Sequence, residues 1–426
     1  MLILLCFVVL LILICINVPI AVALAVSAII GLLATEGPGS LVTVALDMYD
    51  GSTKFSLIAI PMFVLAGALM NAGGITDRLI NFVSALIGFV RGGLAMVNIG
   101  VSLFFAEISG SAVADVAALG SILIPQMKKR GYSAPLAAAV TSSSASLAII
   151  IPPSIPMILY ATSAGTSVEQ LFVAGIVPGL IGAFGLMFVA YMFAVRYNLP
   201  VEEAFNTRRV FDTFMDALPA FSLPVIILGG IFGGWVTATE AAGLAVIAAL
   251  LVGLWYGEFN IRHLRRAMLD GGMQTAVVML LVAASVLMGG FLTRAQVPQQ
   301  LAQGILDFTT NQYVILAILN VFFLIIGFFL HSAAAIILVI PIVIPLINAA
   351  GIDPVHFGLV VTLNLAIGQQ TPPVASVLIT SCAVARANIW EVSKVNVYFV
   401  AVLFVVLMLC TYVPAVPMFL VEYFYR

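Results

Sequence analysis

The chain has 426 residues, 63% of them hydrophobic and 8% charged, with a mean hydropathy of +1.23. Soluble domains are about 45–50% apolar and roughly 25% charged, so this composition excludes one. A net charge of −2 carries no nucleic-acid footprint, and Cys6, Cys15, Cys382 and Cys410 lie in apolar runs without a CxxC pair, which excludes a disulfide framework or thiolate metal site.

The apolar runs are long and do not alternate, so the chain reads as an all-α polytopic membrane protein. In the first half they fall near 2–16, 18–34, 54–72, 93–107, 113–127, 134–163 and 172–195. The first run has no basic start and no small-residue cleavage site, and reads as a retained helix rather than a signal peptide. A polar linker at 198–216 follows, with Arg208 and Arg209. The second half gives runs near 217–235, 238–256, 271–292, 313–329, 333–347, 355–385 and 395–421. No segment between them is long enough for a soluble domain, so any ligand-capturing domain is expected on another chain.

Residues 1–197 and 217–426 align as two repeats. Asp50-Gly51 matches Asp270-Gly271, an offset of 220 (270 − 50). The same offset matches Pro125 with Pro345, Gly131 with Gly351, and Pro152-Pro153 with Pro372-Pro373. Charge does not follow the repeat. Lys128-Lys129-Arg130 aligns with Asn348-Ala349-Ala350, and Arg262, Arg265 and Arg266 align with Val42, Ala45 and Leu46. Basic loops stay cytoplasmic, so equivalent loops are expected on opposite sides and the repeats are inverted. Both termini are then expected outside the cytoplasm.

Runs 93–107 and 113–127 are each short for a span of about 20 residues, and both must return to a basic loop. They predict a re-entrant hairpin over 93–127 with its tip at Ser109-Gly110-Ser111-Ala112, followed by a helix over 134–163 broken at Pro152-Pro153-Ser154. The second repeat predicts a hairpin over 313–347 with its tip at His331-Ser332, and a helix over 355–385 broken at Gly368-Gln369-Gln370-Thr371-Pro372-Pro373. Proline removes a donor and frees a carbonyl one turn earlier. Broken helices at membrane depth are tolerated where their backbone lines a cavity or binds an ion. Hydroxyls and freed carbonyls form an oxygen cage suited to Na⁺. The candidate ligands are Ser109, Ser111, Pro152 and Ser154 in the first repeat, and His331, Ser332, Gly368, Gln369, Thr371 and Pro372 in the second. Helix N-termini at the tip and after the break offer N–H groups to an anion between the two cation sites, in a substrate region of Ser109, Gly110, Ser111, Asp115, Ser154, Ser332 and Thr371.

Asp115 is a carboxylate at membrane depth, and reads as functional. Glu107 and Glu240 read as buried partners of N–H groups or of an arginine. His331 reads as a hydrogen-bonder or a proton carrier, Asn364 as an interhelical bond or a ligand, and Ser142–Ser146 as small packing residues. The basic clusters read as topology anchors at lipid headgroups. No HExxH or Ser/His pairing supports an intramembrane enzyme.

The runs SGSAVADVAALGSILIPQMKKRGY (109–132), IIPPSIPMILY (150–160), GQQTPPV (368–374) and IPMFVLAGALMNAGGI (60–75) resemble the large membrane subunit of tripartite ATP-independent periplasmic (TRAP) transporters. The resemblance covers nearly the whole chain. It implies a Na⁺-driven importer of organic acids such as sialic acid or C4-dicarboxylates, in a bacterial inner membrane, working by an elevator motion. It also implies a small four-helix membrane partner and a soluble periplasmic binding protein. By resemblance, Ser111, Asp115 and Ser154 fall where the family's functionally sensitive residues lie, with counterparts at Ser332 and Gly368–Pro373. A symporter of the Na⁺/dicarboxylate or citrate type, needing no binding protein, shares the same hairpin logic and is the alternative.

Overall fold

A computed structural model describes residues 2–16, 18–201 and 204–425, without the side chains of residues 2–4, 11, 15 and 107–109. Every regular element among the described residues is a helix, and eight of these are long and apolar enough to cross a membrane. The first half contains α1 (Leu2–Cys15), α2 (Ile20–Glu36), α3 (Leu41–Ser52), α4 (Ala59–Ala72) and α5 (Ile75–Ile87). It continues with α6 (Gly93–Ser109), α7 (Ala112–Lys129), α8 (Ala134–Ala145), α9 (Ile155–Ala164) and α10 (Val168–Arg196). Next come α11 (Thr207–Pro224), which runs through a π-turn into α12 (Gly230–Phe232), then α13 (Ala238–Trp255), α14 (Ile261–Arg294) and α15 (Val297–Phe308). The chain ends with α16 (Gln312–Phe329), α17 (Ser332–Ala349), α18 (Pro354–Gly368), α19 (Ser376–Ala385), α20 (Ile389–Tyr412) and α21 (Ala415–Tyr425). The starts of α16–α19 keep the 220-residue offset from those of α6–α9 to within one residue (312 against 93, 332 against 112, 354 against 134, 376 against 155).

Three helices fall where the sequence suggested loops: α3, α5 and α15. Their apolar residues occupy one face only. In α5, Ile75, Leu79, Phe82 and Val83 are buried while Asp77 and Asn81 are exposed, so average hydropathy hides the 3.6-residue period. Two long helices start ten residues before their apolar runs. α11 begins inside the linker, capped by Asn206, whose side chain accepts from the Arg208 and Arg209 amides. α14 begins at Ile261, capped by Asn260, so Arg262, Arg265 and Arg266 lie on helix rather than loop.

The helices form two groups. In one, α14 packs against α2, α3 and α4, and α13 packs against α4. In the other, the broken pairs α8–α9 and α18–α19 are central, with α6, α7, α10, α16, α17 and α20 around them. Every residue of α18 from Val355 to Gly368 is buried. The halves interlock, because α7 packs on α19 and α17 packs on α9. Tyr160 of α9 donates to the Pro354 carbonyl at 2.7 Å, and its ring packs against Gly358, where a Cβ would come within 2.4 Å of it. Trp235 and Trp255, both more than four-fifths exposed, bracket α13. That places an aromatic residue at each edge of a layer roughly 30 Å thick.

The charges separate by end. Arg78 of α5 reaches Asp216 and Glu258, each at 3.5 Å, and lies over the Tyr256 ring at 3.8 Å. At the same end, Lys128 donates to the Ala385 carbonyl at 3.0 Å, and Lys129, Arg130 and Arg209 share one cavity wall. The opposite end carries the Arg294–Asp47 pair at 2.8 Å, together with Glu169, Asp353 and Glu422.

Candidate functional site

α6 and α7 are joined by two residues. The Asn98 amide on α6 donates to the Met127 sulfur on α7 at 3.6 Å, so the two helices run back to back toward the basic end. Gly110, at the turn, has φ +57, a backbone that glycine adopts freely. A Cβ there would lie 3.0 Å from the Ile155 nitrogen and 3.1 Å from the Pro153 carbonyl oxygen, so the turn rests directly on the first break. α16 and α17 turn back at Leu330-His331. Their far ends are tied by Gln312, whose amide donates to the Ala350 carbonyl at 2.8 Å.

The two breaks differ in detail. In the first, α8 tightens into a 3₁₀ turn at Ser146–Ile149, and α9 starts at Ile155. Ser154 caps α9, its hydroxyl accepting from the Met157 amide and donating to the Ile149 carbonyl at 2.8 Å. Ser154→Ala is therefore expected to cost about 0.5–2 kcal/mol, as other N-cap losses do. A thermal melt in detergent checks this, and an unchanged midpoint would show that the cap contributes nothing. In the second break, Thr371 donates to the Ile367 carbonyl and Gln369 accepts from Ser376. The Val374 amide donates to Phe328 of α16, which ties this break to the neighbouring turn. Pro152-Pro153 and Pro372-Pro373 are both cis.

These parts converge on one cavity of about 40 Å³, lined by Gly110, Ser111, Ile155, Pro156, His331, Ser332, Gln369 and Val278 of α14, among others. Both turns and the starts of both breaks thus share one space. It has room for a water or an ion, and is far below the roughly 300–1,000 Å³ of a small-molecule site. Pro152, Ser154, Gly368, Thr371 and Pro372 do not line it. The side chains of Ser109 and Glu107 lie outside the described residues. Asp115 is 1% exposed in the first turn of α7, where the helix dipole favours a carboxylate.

Glu240 and the Ser142–Ser146 block depart from expectation, while His331 and Asn364 take the hydrogen-bonding role that was one of the two readings for each. Glu240 is exposed, not buried, and forms a capping box with Thr237. His331 caps α17, its Nδ1 accepting from the Ala333 amide at 3.4 Å. Asn364 donates to Asn320, an interhelical bond. The Ser142–Ser146 block is more than packing. Ser142 and Ser143 each donate to the Gln370 side-chain oxygen at 3.3 Å, Asn396 donates to the same oxygen at 3.2 Å, and the Gln370 amide donates to Ser146 at 2.6 Å. Gln370 of the second break is thereby keyed to α8 of the first half. Sequence reasoning missed Gln370 and Asn396 in this role. The available signal was a side-chain amide within an apolar run.

Residues 7–416 match the family described as "Tripartite ATP-independent periplasmic transporter, DctM component". The chain is 37% identical to the C4-dicarboxylate TRAP transporter large permease protein DctM of Pseudomonas aeruginosa, over 89% of this chain and 90% of that one. It is 36% identical to the sialic acid TRAP transporter large permease protein SiaM of Vibrio cholerae, over 89% of each chain. The fold is similar to the solved structure of the Alcanivorax borkumensis YdaH transporter, with a TM-score of 0.59 and 16% identity over 89% of each chain. The described fold, the buried breaks and these matches agree: this chain belongs to the DctM family of TRAP transporter large permeases, multi-pass membrane transport subunits and not enzymes.

Proposed function

We propose that this chain imports an organic-acid anion across a bacterial inner membrane, driven by a Na⁺ gradient. The observation that carries the reading is the single cavity shared by both turns and both breaks. Na⁺ ions bind hydroxyl and carbonyl oxygens at the turns and breaks, among them those of Ser111, Ser332 and Gln369. Their charge, with the N-termini of α7 and α17, then completes a site for the anion. The basic end is cytoplasmic, which leaves α6–α7 entering from the cytoplasm, α16–α17 from the periplasm, and both termini periplasmic. The matched offsets and opposed directions support two inverted repeats. The boundary between the two helix groups supports an elevator motion of one against the other. The substrate is delivered by a soluble periplasmic protein, and a small membrane subunit covers part of the lipid-facing surface. C4-dicarboxylates and sialic acid, named for the relatives, are the substrates to try first.

The test is thermal stability in NaCl against KCl, for wild type and Ser111→Ala. An ion that binds only the folded state stabilises it by about 2.7 kcal/mol at a hundredfold excess over Kd. A Na⁺-specific upward shift, reduced in the variant, is the expected result. Equal midpoints in the two salts would overturn Na⁺ coupling at the first turn. Uptake of succinate or sialic acid into proteoliposomes without a binding protein would favour the alternative symporter.

A further inference from the structure

A cavity of about 390 Å³ lies at the basic end, where α5 and the first turn of α11 face α6 and α7, the arms of the first turn. Its floor and its rim differ in chemistry. Val97 of α6 and Leu123 of α7 are buried apolar residues in its wall. Lys129, Arg130 and Arg209 are its cations, and Lys129 and Arg130 are exposed. On α7, Leu123, Gln126 and Arg130 are three and four residues apart, so they stack along one face. Seven residues of helix cover about 10 Å, which sets the apolar floor that far from the basic rim. Across from α7, α5 contributes Asn81 and Ser84. Among the described residues no carboxylate lines this cavity, and Lys129 has no ion-pair partner. The larger cavity between α4 and α14 at the same end contrasts with it, since Asp77, Glu258 and Asp270 line that one.

We propose that the cavity between α5, α6, α7 and α11 holds the headgroup of an anionic phospholipid, its phosphate on the basic rim and its glycerol backbone over the apolar floor. The basic end is cytoplasmic in the reading above, and basic pockets between helices on that side take the headgroups of the anionic lipids found there. Free phosphate would meet the same cations, because the shared chemistry is a phosphate oxygen on lysine and arginine. The floor favours the lipid. A hydrated ion gains nothing from Val97 and Leu123, whereas the first methylenes of an acyl chain are stabilised there. The volume falls within the roughly 300–1,000 Å³ of small-molecule sites, enough for a phosphoglycerol headgroup while the chains stay in the bilayer. Asn81, Ser84 and Gln126 supply hydrogen-bonding side chains for the glycerol hydroxyls. A lipid seated there bridges the end of α7 to α11, and so steadies the arms of the first turn against the α5–α11 pair. Its binding does not depend on Na⁺ coupling.

The test is a lipid titration of the purified full-length chain in a neutral detergent, with the bound fraction read by native mass spectrometry. Dioleoylphosphatidylglycerol is expected to bind well ahead of dioleoylphosphatidylcholine. The double variant Lys129→Gln/Arg130→Gln should weaken its binding about thirtyfold, the effect of losing two basic residues at an anionic headgroup. Arg262→Gln/Arg265→Gln removes the same charge from the start of α14, outside the cavity, and should leave binding unchanged. Ser84→Trp fills the cavity with its cations in place, and should weaken binding about tenfold or more. Arg209→Gln, expected to weaken binding about fivefold, covers the case in which Ser84→Trp does not fold. An equal loss from the α14 pair would reveal diffuse surface attraction and overturn the site. Unchanged binding by folded Ser84→Trp would overturn it too. Inorganic phosphate in large excess is the competitor. The lipid is expected to stay bound, and full displacement would assign the cavity to a free phosphate ion instead.

Discussion

Gly368→Ala is expected to abolish uptake and to lower stability by about 1–3 kcal/mol, the usual cost of overpacking. A Cβ on Gly368 would lie 2.5 Å from the Cα of Gly327 and 2.6 Å from its carbonyl carbon. These are backbone atoms of α16, so no side chain can rotate out of the way. Small residues allow helices to touch in this manner inside a membrane, and here the contact joins the second turn's arm to the second break. Gln369, the next residue, lines the cavity between the turns, so pushing α16 from α18 displaces a wall of the site. Thermal melts and proteoliposome uptake would measure both effects. Gly243→Ala is the control, because nothing lies within 4 Å of its Cβ position and helix propensity favours alanine by up to about 1 kcal/mol. If Gly368→Ala behaves like Gly243→Ala, the close approach has no mechanical role.

Gln370→Leu is expected to lose transport and to destabilise the fold by about 0.5–1.5 kcal/mol for each hydrogen bond lost, because Ser142 and Ser143 keep the Ala139 carbonyl and Ser146 keeps the Ser142 carbonyl. Leucine fills nearly the same space, so packing survives while the hydrogen bonds do not. Ser142, Ser143 and Asn396 lose their shared acceptor, and Ser146 loses a donor. All five residues are at most 1% exposed, so water does not replace the partner. Asn396 also donates to the Gln370 backbone carbonyl at 3.2 Å, which makes the pair a fixed joint between α20 and the second break. A double-mutant cycle of Gln370→Leu with Asn396→Leu should return a coupling of about 0.5 kcal/mol or more. Strict additivity would show that the network is incidental.

Much of the architecture is legible without coordinates. Apolar runs locate most of the long helices, because lipid demands both apolar surface and internally satisfied backbone. Paired prolines and the tip glycine mark the breaks and the first turn for the same reason: the backbone groups they free at membrane depth must find partners without water. The short amphipathic helices were not legible. α5 and α15 place polar residues on one face, and averaged hydropathy cancels them against the other.

The candidate site was legible in part. The residues of the turns and breaks can be named from the sequence. Their assignment to a cavity cannot, because Ser111 and His331 are 220 residues apart and meet only when the halves interlock. The roles of Gln370 and Asn396 depend on which helix face meets which neighbour. Periodicity fixes a face but not its partner. By itself the sequence determined the solvent, the helices, the internal offset and the separation of charge, since each follows from the local chemistry of residues against lipid and water. Only the tertiary structure decided that the first turn rests on Pro153 and Ile155, that α7 seats on α19 and α17 on α9, and that Lys129, Arg130 and Arg209 meet at one cavity. Those are contacts between distant segments, chosen by steric fit and hydrogen-bond satisfaction, and a one-dimensional pattern carries neither.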